Sequence, residues 1–212
     1  MNLLDFIFPK RCVNCGRIGK YFCVVCRVKI RPIADNERIC PMCGRLAFEG
    51  ITHPRCRTQS GIDGLTSFFH YDGPVRKAIK AIKYRLVSDL AGEFISLISV
   101  PDFKNYILIP IPLHPKRFRE RGFNQSVVLG EKLNIPMRTD ILRRIKATAP
   151  QAEIKERKKR LENMKLSFES KHVSGDFLLF DDVTTTGATL RSAAAALKRS
   201  GAKRVWALTL AR

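Results

Sequence analysis

A chain of 212 residues has room for one ordinary domain and a small extra module, and with 45% hydrophobic residues it can build a real core. No apolar run approaches the roughly 20 residues that a membrane helix needs. The apolar start Met1–Pro9 carries Asp5 and lacks both a basic lead and a small-residue cleavage site, so it does not read as a secretory signal and a cytoplasmic location is expected. The net charge of +20, from 39 Lys and Arg against 19 Asp and Glu, excludes an acidic surface and points to an anionic partner, a nucleic acid or a pyrophosphate substrate, set against the plainer reading of a solvated basic surface.

All seven cysteines fall before residue 57. They form the pairs Cys12/Cys15, Cys23/Cys26 and Cys40/Cys43, and a fourth pair of the same spacing opens with histidine, His53/Cys56. Two intervening residues let a tight backbone knuckle aim both side chains at one tetrahedral metal. In a cytosolic chain that spacing means metal before disulfide. Eight ligands suit two structural zinc ions. They can be shared out sequentially, with Cys12, Cys15, Cys23 and Cys26 on one and Cys40, Cys43, His53 and Cys56 on the other, or in a crossed scheme; the spacing allows both. Gly16 and Gly44 follow two of the pairs, where a knuckle needs a positive φ. Residues 1–60 have little periodicity and cannot bury a core by themselves, so something else must hold them together.

After the short polar linker Thr58-Gln-Ser-Gly61, residues 62–212 alternate apolar runs with helical patterns, which predicts an α/β domain with a mainly parallel sheet. Strands are predicted near Gly64–Tyr71, Tyr106–Ile111, Phe177–Asp181 and Arg204–Leu210. Helices are predicted over Pro74–Tyr84, Asp89–Ser99, Asn124–Leu133 and Leu190–Ser200. Glu153–Met164 is charged almost all round, so as a helix it would face solvent or an anion.

One strand carries the chemistry. The apolar run from Phe177 ends in Asp181 and Asp182, and then come Thr184, Thr185, Thr186, Gly187, Ala188 and Thr189 before the last helix. Hydroxyls and helix N-terminal N–H groups suit a phosphate monoester. Two carboxylates beside them can accept from ribose hydroxyls or hold a magnesium ion. If strand alternation persists through the two acids, their side chains diverge. The plainer reading is a strand-to-helix turn with a threonine cap. A second segment leaves the Tyr106–Ile111 strand, turns at prolines, and carries Leu113, His114, Lys116, Arg117, Arg119 and Arg121. A basic loop there can hold a pyrophosphate. Further basic runs at Arg143–Lys146 and Lys155–Arg160 make Arg143, Arg144, Lys158, Lys159 and Arg160 candidates for nucleic-acid contacts, with Phe118, Phe123 and Phe168 near basic segments as candidate stacking surfaces.

The strand, acidic pair and threonine loop resemble those of the type I phosphoribosyltransferases. That resemblance gives Asp181 and Asp182 to the ribose of phosphoribosyl pyrophosphate (PRPP) and Thr184–Thr189 to its 5-phosphate. With the Pro-Leu-His-Pro…Arg-Gly-Phe-Asn-Gln run and the four metal-spaced pairs, the chain resembles the ComF (ComFC or GntX-like) family, with His53 standing where a cysteine is usual. Arg144, Thr148, Gln151, Arg160, Asn163 and Phe168 form a third agreeing block. The resemblance implies a phosphoribosyltransferase type I, Rossmann-like domain over residues 62–212, preceded by a small zinc-binding module, like a double zinc ribbon, over 1–60. It implies Mg–PRPP as ligand, with the pyrophosphate near Leu113–Arg121. The family is associated with natural transformation and the handling of single-stranded DNA, so that DNA and a competence helicase or uptake machinery are implied partners. The chain then reads either as a transferase moving phosphoribosyl to an amine or base, or as a nucleic-acid-binding module that uses the PRPP site as a sensor.

Overall fold

The computed structural model describes residues 9–85, 88–146 and 167–212. The expected helix at Glu153–Met164, the candidates Lys158, Lys159 and Arg160, and the family-block residues Thr148, Gln151 and Asn163 lie outside the described residues.

Four strands form a parallel sheet: β1 (Gly64–Phe69), β2 (Tyr106–Pro110), β5 (Gly175–Val183) and β6 (Ala202–Ala211), in the order β1-β6-β5-β2. Phe177, Leu178, Leu179 and Phe180 on β5 are each at most 1% exposed. Four consecutive buried side chains require cover on both faces of the sheet, which is why this strand reads as an unbroken apolar run. Counting the short helix Val24–Arg27 as α1, Leu178 and Phe180 pack with Val75, Ile79 and Ile82 of α2 (Gly73–Arg85), Leu90 and Phe94 of α3 (Ser88–Ile95) and Leu129 of α5 (Gln125–Gly130). Phe177 and Leu179 pack with Leu190, Ala193 and Leu197 of α6 (Ala188–Arg199) and with Leu142 and Phe168. Truncating one of these side chains to alanine costs about 2–5 kcal/mol.

Leu142 and Phe168 belong to an antiparallel pair, β3 (Leu142–Arg144) with β4 (Phe168–Ser170), that the sequence pattern did not reveal. A second departure is α4 (Pro115–Arg121): the segment read as a basic loop is a helix, with His114 as its N-cap and proline at its first turn.

The open edges of the sheet are covered. Beside β2, Met137 bridges Leu108, with Leu108 N donating to Pro136 O at 2.8 Å and Arg138 N to Leu108 O at 3.0 Å. Beside β1, Pro32 bridges Phe69 and Ile51 bridges Gly64. The cysteine-rich segment thus supplies edge protection for the sheet. It also docks through side chains: Phe22 lies 5.4 Å from Phe94 ring to ring, and Glu93 accepts from the backbone N–H groups of Tyr21 (3.2 Å) and Phe22 (2.8 Å). Among the described residues, no helix is long and apolar enough to cross a membrane.

Candidate metal centres and anion site

The cysteine pairs fold into two copies of one device. Cys12 N donates to Arg17 O and Gly16 N to Cys12 O, both at 2.8 Å; Cys40 N donates to Arg45 O and Gly44 N to Cys40 O, also both at 2.8 Å. The bridges Arg11–Ile18 and Ile39–Leu46 close the two loops. Gly16 (φ 78°) and Gly44 (φ 72°) take the left-handed conformation that returns the chain. The ligand atoms of Cys12, Cys15, Cys23 and Cys26 all lie within 4.8 Å of one another, as do those of Cys40, Cys43, His53 and Cys56. The grouping is sequential; the crossed scheme does not occur.

Both donor sets fit zinc. Tetrahedral bonds of about 2.3 Å to sulfur place two sulfurs about 3.8 Å apart, and a sulfur and an imidazole nitrogen about 3.6 Å apart. Cys15 Sγ and Cys23 Sγ are separated by 3.6 Å, and Cys43 Sγ and His53 Nδ1 by 3.4 Å. His53 Nε2 lies 2.9 Å from Leu46 O. A carbonyl only accepts, so Nε2 carries the proton and Nδ1 offers its lone pair to the cysteines, the orientation a ligating histidine needs. Burial raises the Cys12 thiol, but N–H groups of Cys23, Cys15 and Asn14 outweigh it and bring the thiol down to about 6. Cys40 comes down to about 7 in the same way, against burial, through N–H groups of His53, Cys43 and Met42. Four ligands per centre leave no open position for an activated water, so these centres are structural.

At the end of β5 the alternation of side chains persists, because the strand runs on through both acids to Val183. Asp182 is 3% exposed, and its Oδ2 sits 2.9 Å from Lys83 Nζ of α2. Asp181 accepts from Ser126 Oγ at 3.1 Å and from Asp182 N at 2.9 Å. Burial, and then the charge of Asp182, pushes the Asp181 carboxyl up to about 7. The two adjacent acids therefore stand in different settings, one against the Lys83 ammonium and the other buried with its carboxyl shifted up toward neutrality. Lys83 and Ser126 are parts of this site that sequence reasoning missed; both reach it from elements distant along the chain.

The threonine loop follows directly. Thr184 is buried, and its N–H donates to Ala211 O at 3.0 Å, tying the loop to β6. Thr185 and Thr186 are exposed. Gly187 caps α6 in the left-handed conformation (φ 69°), and no side chain occupies the cap hydrogen bonds. The helix begins at Ala188, so Thr189 lies in its first turn. A glycine cap brings no side-chain acceptor of its own to the N–H groups of this N-terminus, which suits an anion.

The basic segment is placed unevenly. His114 is spent as the α4 cap, accepting from Lys116 N at 3.3 Å. Leu113 is partly buried beside it and Arg117 is exposed. Arg121 donates to Gln125 Oε1 and lies 5.9 Å from the Tyr84 ring. Arg143 is exposed and pairs with Glu169 at 2.8 Å. Arg144 is only 8% exposed, with its guanidinium 5.4 Å from the Phe168 ring. Burial and then Arg117 lower its pKa while Asp181 opposes them, so these three charges share one neighbourhood. Phe168 is buried in the core, whereas Phe118 is 49% exposed.

The parallel sheet with acids at the end of β5 and the paired cysteine knuckles define an α/β protein carrying an N-terminal double zinc ribbon. The family described as Double zinc ribbon domain matches residues 3–58. Competence protein ComFC of Bacillus subtilis is 32% identical, over 84% of this chain and 78% of that protein. DNA utilization protein YhgH of Salmonella typhimurium is 28% identical, over 87% of this chain and 89% of its own length. Competence protein F of Haemophilus influenzae is 27% identical, over 100% and 99%. The chain belongs to the ComF family. Among solved structures, the glutamine phosphoribosylpyrophosphate amidotransferase of B. subtilis aligns at 14% identity and a TM-score of 0.36, over 56% of this chain and 25% of that one, a likeness too partial to bear on function.

Proposed function

We propose that residues 62–212 bind Mg–PRPP at the Asp181–Thr189 segment, and that residues 1–60 form the zinc-bearing module that supports this domain. The observation that carries the reading is the junction of β5 and α6. Two carboxylates, one against Lys83 and one against Ser126, are followed without a break by exposed threonine hydroxyls and a helix N-terminus whose glycine cap brings no side-chain acceptor. The 5-phosphate would sit on Thr184, Thr185, Thr186, Gly187, Ala188 and Thr189, and the ribose hydroxyls would donate to Asp181. Asp181 or Asp182 would hold magnesium, which would supply positive charge to neutralise the leaving pyrophosphate. Arg117 and Arg144, which share an electrostatic neighbourhood with Asp181, would face the pyrophosphate.

If the site turns over, the bond from the sugar C1 to pyrophosphate breaks as an amine or base nitrogen attacks C1 and then loses its proton. Catalysis would come from positioning and from neutralising the leaving pyrophosphate. The relatives' names, competence and DNA utilization proteins, support a second role with single-stranded DNA. Here the favouring observation is the rim formed by Tyr84, 77% exposed, and Phe118 on the basic helix α4, with Arg121 over the Tyr84 ring.

Isotope-labelled PRPP with magnesium, in equilibrium dialysis, tests the reading. Saturable binding is expected in the wild type, and a loss of about tenfold or more in Asp181→Asn and in Thr185→Ala. Retained binding in both variants would place the ligand elsewhere. Following PRPP consumption against a panel of amines and bases separates a transferase from a sensor.

A further inference from the structure

The two zinc centres dock differently. The first faces α2 and α3, where Lys77 donates to Asn14 O at 2.9 Å and Lys10 pairs with Asp89 at 3.2 Å. The second is fixed to β1 by the Ile51–Gly64 bridge, by Thr52 N to Asp63 O at 2.9 Å and by Thr52 Oγ1 to Ile62 O at 2.6 Å. From that anchor its knuckle reaches the threonine loop. Arg191, in the first turn of α6, uses one nitrogen, Nη1, to donate both to Pro41 O at 2.9 Å and to Thr186 O at 2.7 Å. Pro41 lies between the ligands Cys40 and Cys43. The approach is close: a Cβ on Gly187 would stand 3.0 Å from Arg191 Nη1 and 3.4 Å from Pro41 O.

The consequence follows from peptide planarity. With the Thr186 carbonyl drawn toward Arg191 and the knuckle, the Gly187 N–H of the same peptide is directed the opposite way. Loop donors aimed away from the knuckle are an anion site set in advance of its ligand; a loop free to rotate that peptide would have to be ordered on binding. The Cys40–Cys43 turn places the knuckle carbonyl, and metal at that centre would hold this turn more firmly than its backbone hydrogen bonds do alone.

We propose that Arg191 is a positioning residue that couples the second zinc centre to the threonine loop, so that metal at Cys40, Cys43, His53 and Cys56 sets the loop's affinity for a phosphate. This rests on the reading of the loop as an anion site. Coupling is reciprocal: a phosphate on the loop also holds the second zinc more tightly.

The test uses the full chain, PRPP with magnesium or inorganic phosphate as ligand, and a zinc-selective dye to follow metal release. Cys43→Ser and Cys15→Ser remove matching exposed ligands from the two centres. Cys43→Ser should weaken PRPP binding about tenfold and Cys15→Ser should leave it unchanged. Arg191→Ala should weaken it by a similar factor while keeping both zinc ions, with partial rescue by Arg191→Lys. In the wild type, saturating ligand should slow the release of one zinc ion and not the other, and this effect should vanish in Arg191→Ala. Equal losses in the two cysteine variants, full affinity in zinc-loaded Arg191→Ala, or zinc release indifferent to bound ligand overturns the coupling while leaving the PRPP reading intact. Failure of the wild type to bind either PRPP or inorganic phosphate overturns both.

Discussion

Lys83 holds its ammonium 2.9 Å from Asp182 Oδ2, with the two side chains 22% and 5% exposed. The helix and strand that carry them meet only in the folded sheet, and the pair sets the charge pattern of the acidic strand end. Replacing Lys83 by methionine leaves a buried carboxylate without its counter-charge, at a cost of about 3 kcal/mol. It also removes the cation that restrains the upward shift of Asp181. Urea denaturation should show the loss in Lys83→Met and recovery of most of it in Lys83→Met/Asp182→Leu, in which both charges are gone.

The raised carboxyl of Asp181 predicts a pH dependence of defined sign. Its folded pKa of about 7 lies above the ordinary 3.8, so the folded state binds this proton more tightly than the unfolded state does. The resulting stabilisation is complete below the unfolded value, falls as pH rises from about 4 to about 7, and is gone above that. Relative to Asp181→Asn, which has no proton to lose there, the wild type should lose stability across that window in a denaturation series. PRPP affinity should run the other way, because ribose hydroxyls need the carboxylate as acceptor. It should rise between pH 6 and 8 in the wild type and stay flat in Asp181→Asn.

The donor sets predict two zinc ions per chain by elemental analysis of the purified protein. His53→Ala should lose the second ion to a mild chelator while retaining the first, and His53→Cys should keep both. A wild-type chain that stays folded with no zinc would contradict the assignment of these residues.

Tyr84 and Phe118 are exposed, so alanine at either should leave stability within about 0.5 kcal/mol of wild type. If the rim stacks unpaired bases, each variant should weaken single-stranded DNA binding by about 1 kcal/mol. Binding by the wild type should fall steeply with salt, as expected for basic contacts to phosphates. Fluorescence anisotropy across a salt series reads both effects.

What could be read in the sequence was local. The cysteine pairs announced metal because ligands two residues apart must share a knuckle, and β5 announced itself because a strand buried on both faces is apolar at every position. The loop after Asp182 was legible for the same reason, since its hydroxyls and its helix start are contiguous. Lys83, Ser126 and Arg191 were not legible. Each acts through a partner brought near only by the fold, and as isolated residues on amphipathic helices they look like ordinary polar positions. Helix α4 was hidden by its own charge, although His114 before Pro115 was a usable start signal. The β3–β4 pair was hidden because three-residue strands show too little alternation to register.

The central claim is that one phosphate sits on the threonine loop while the sugar meets the acids. A crystal structure of the chain grown with PRPP, with manganese in place of magnesium, tests it most directly. The 5-phosphate density is expected against Thr184–Thr189, with an anomalous manganese peak beside the Asp181–Asp182 pair. PRPP bound elsewhere, such as on the zinc ribbon surface, or an empty loop at saturating ligand, would contradict it.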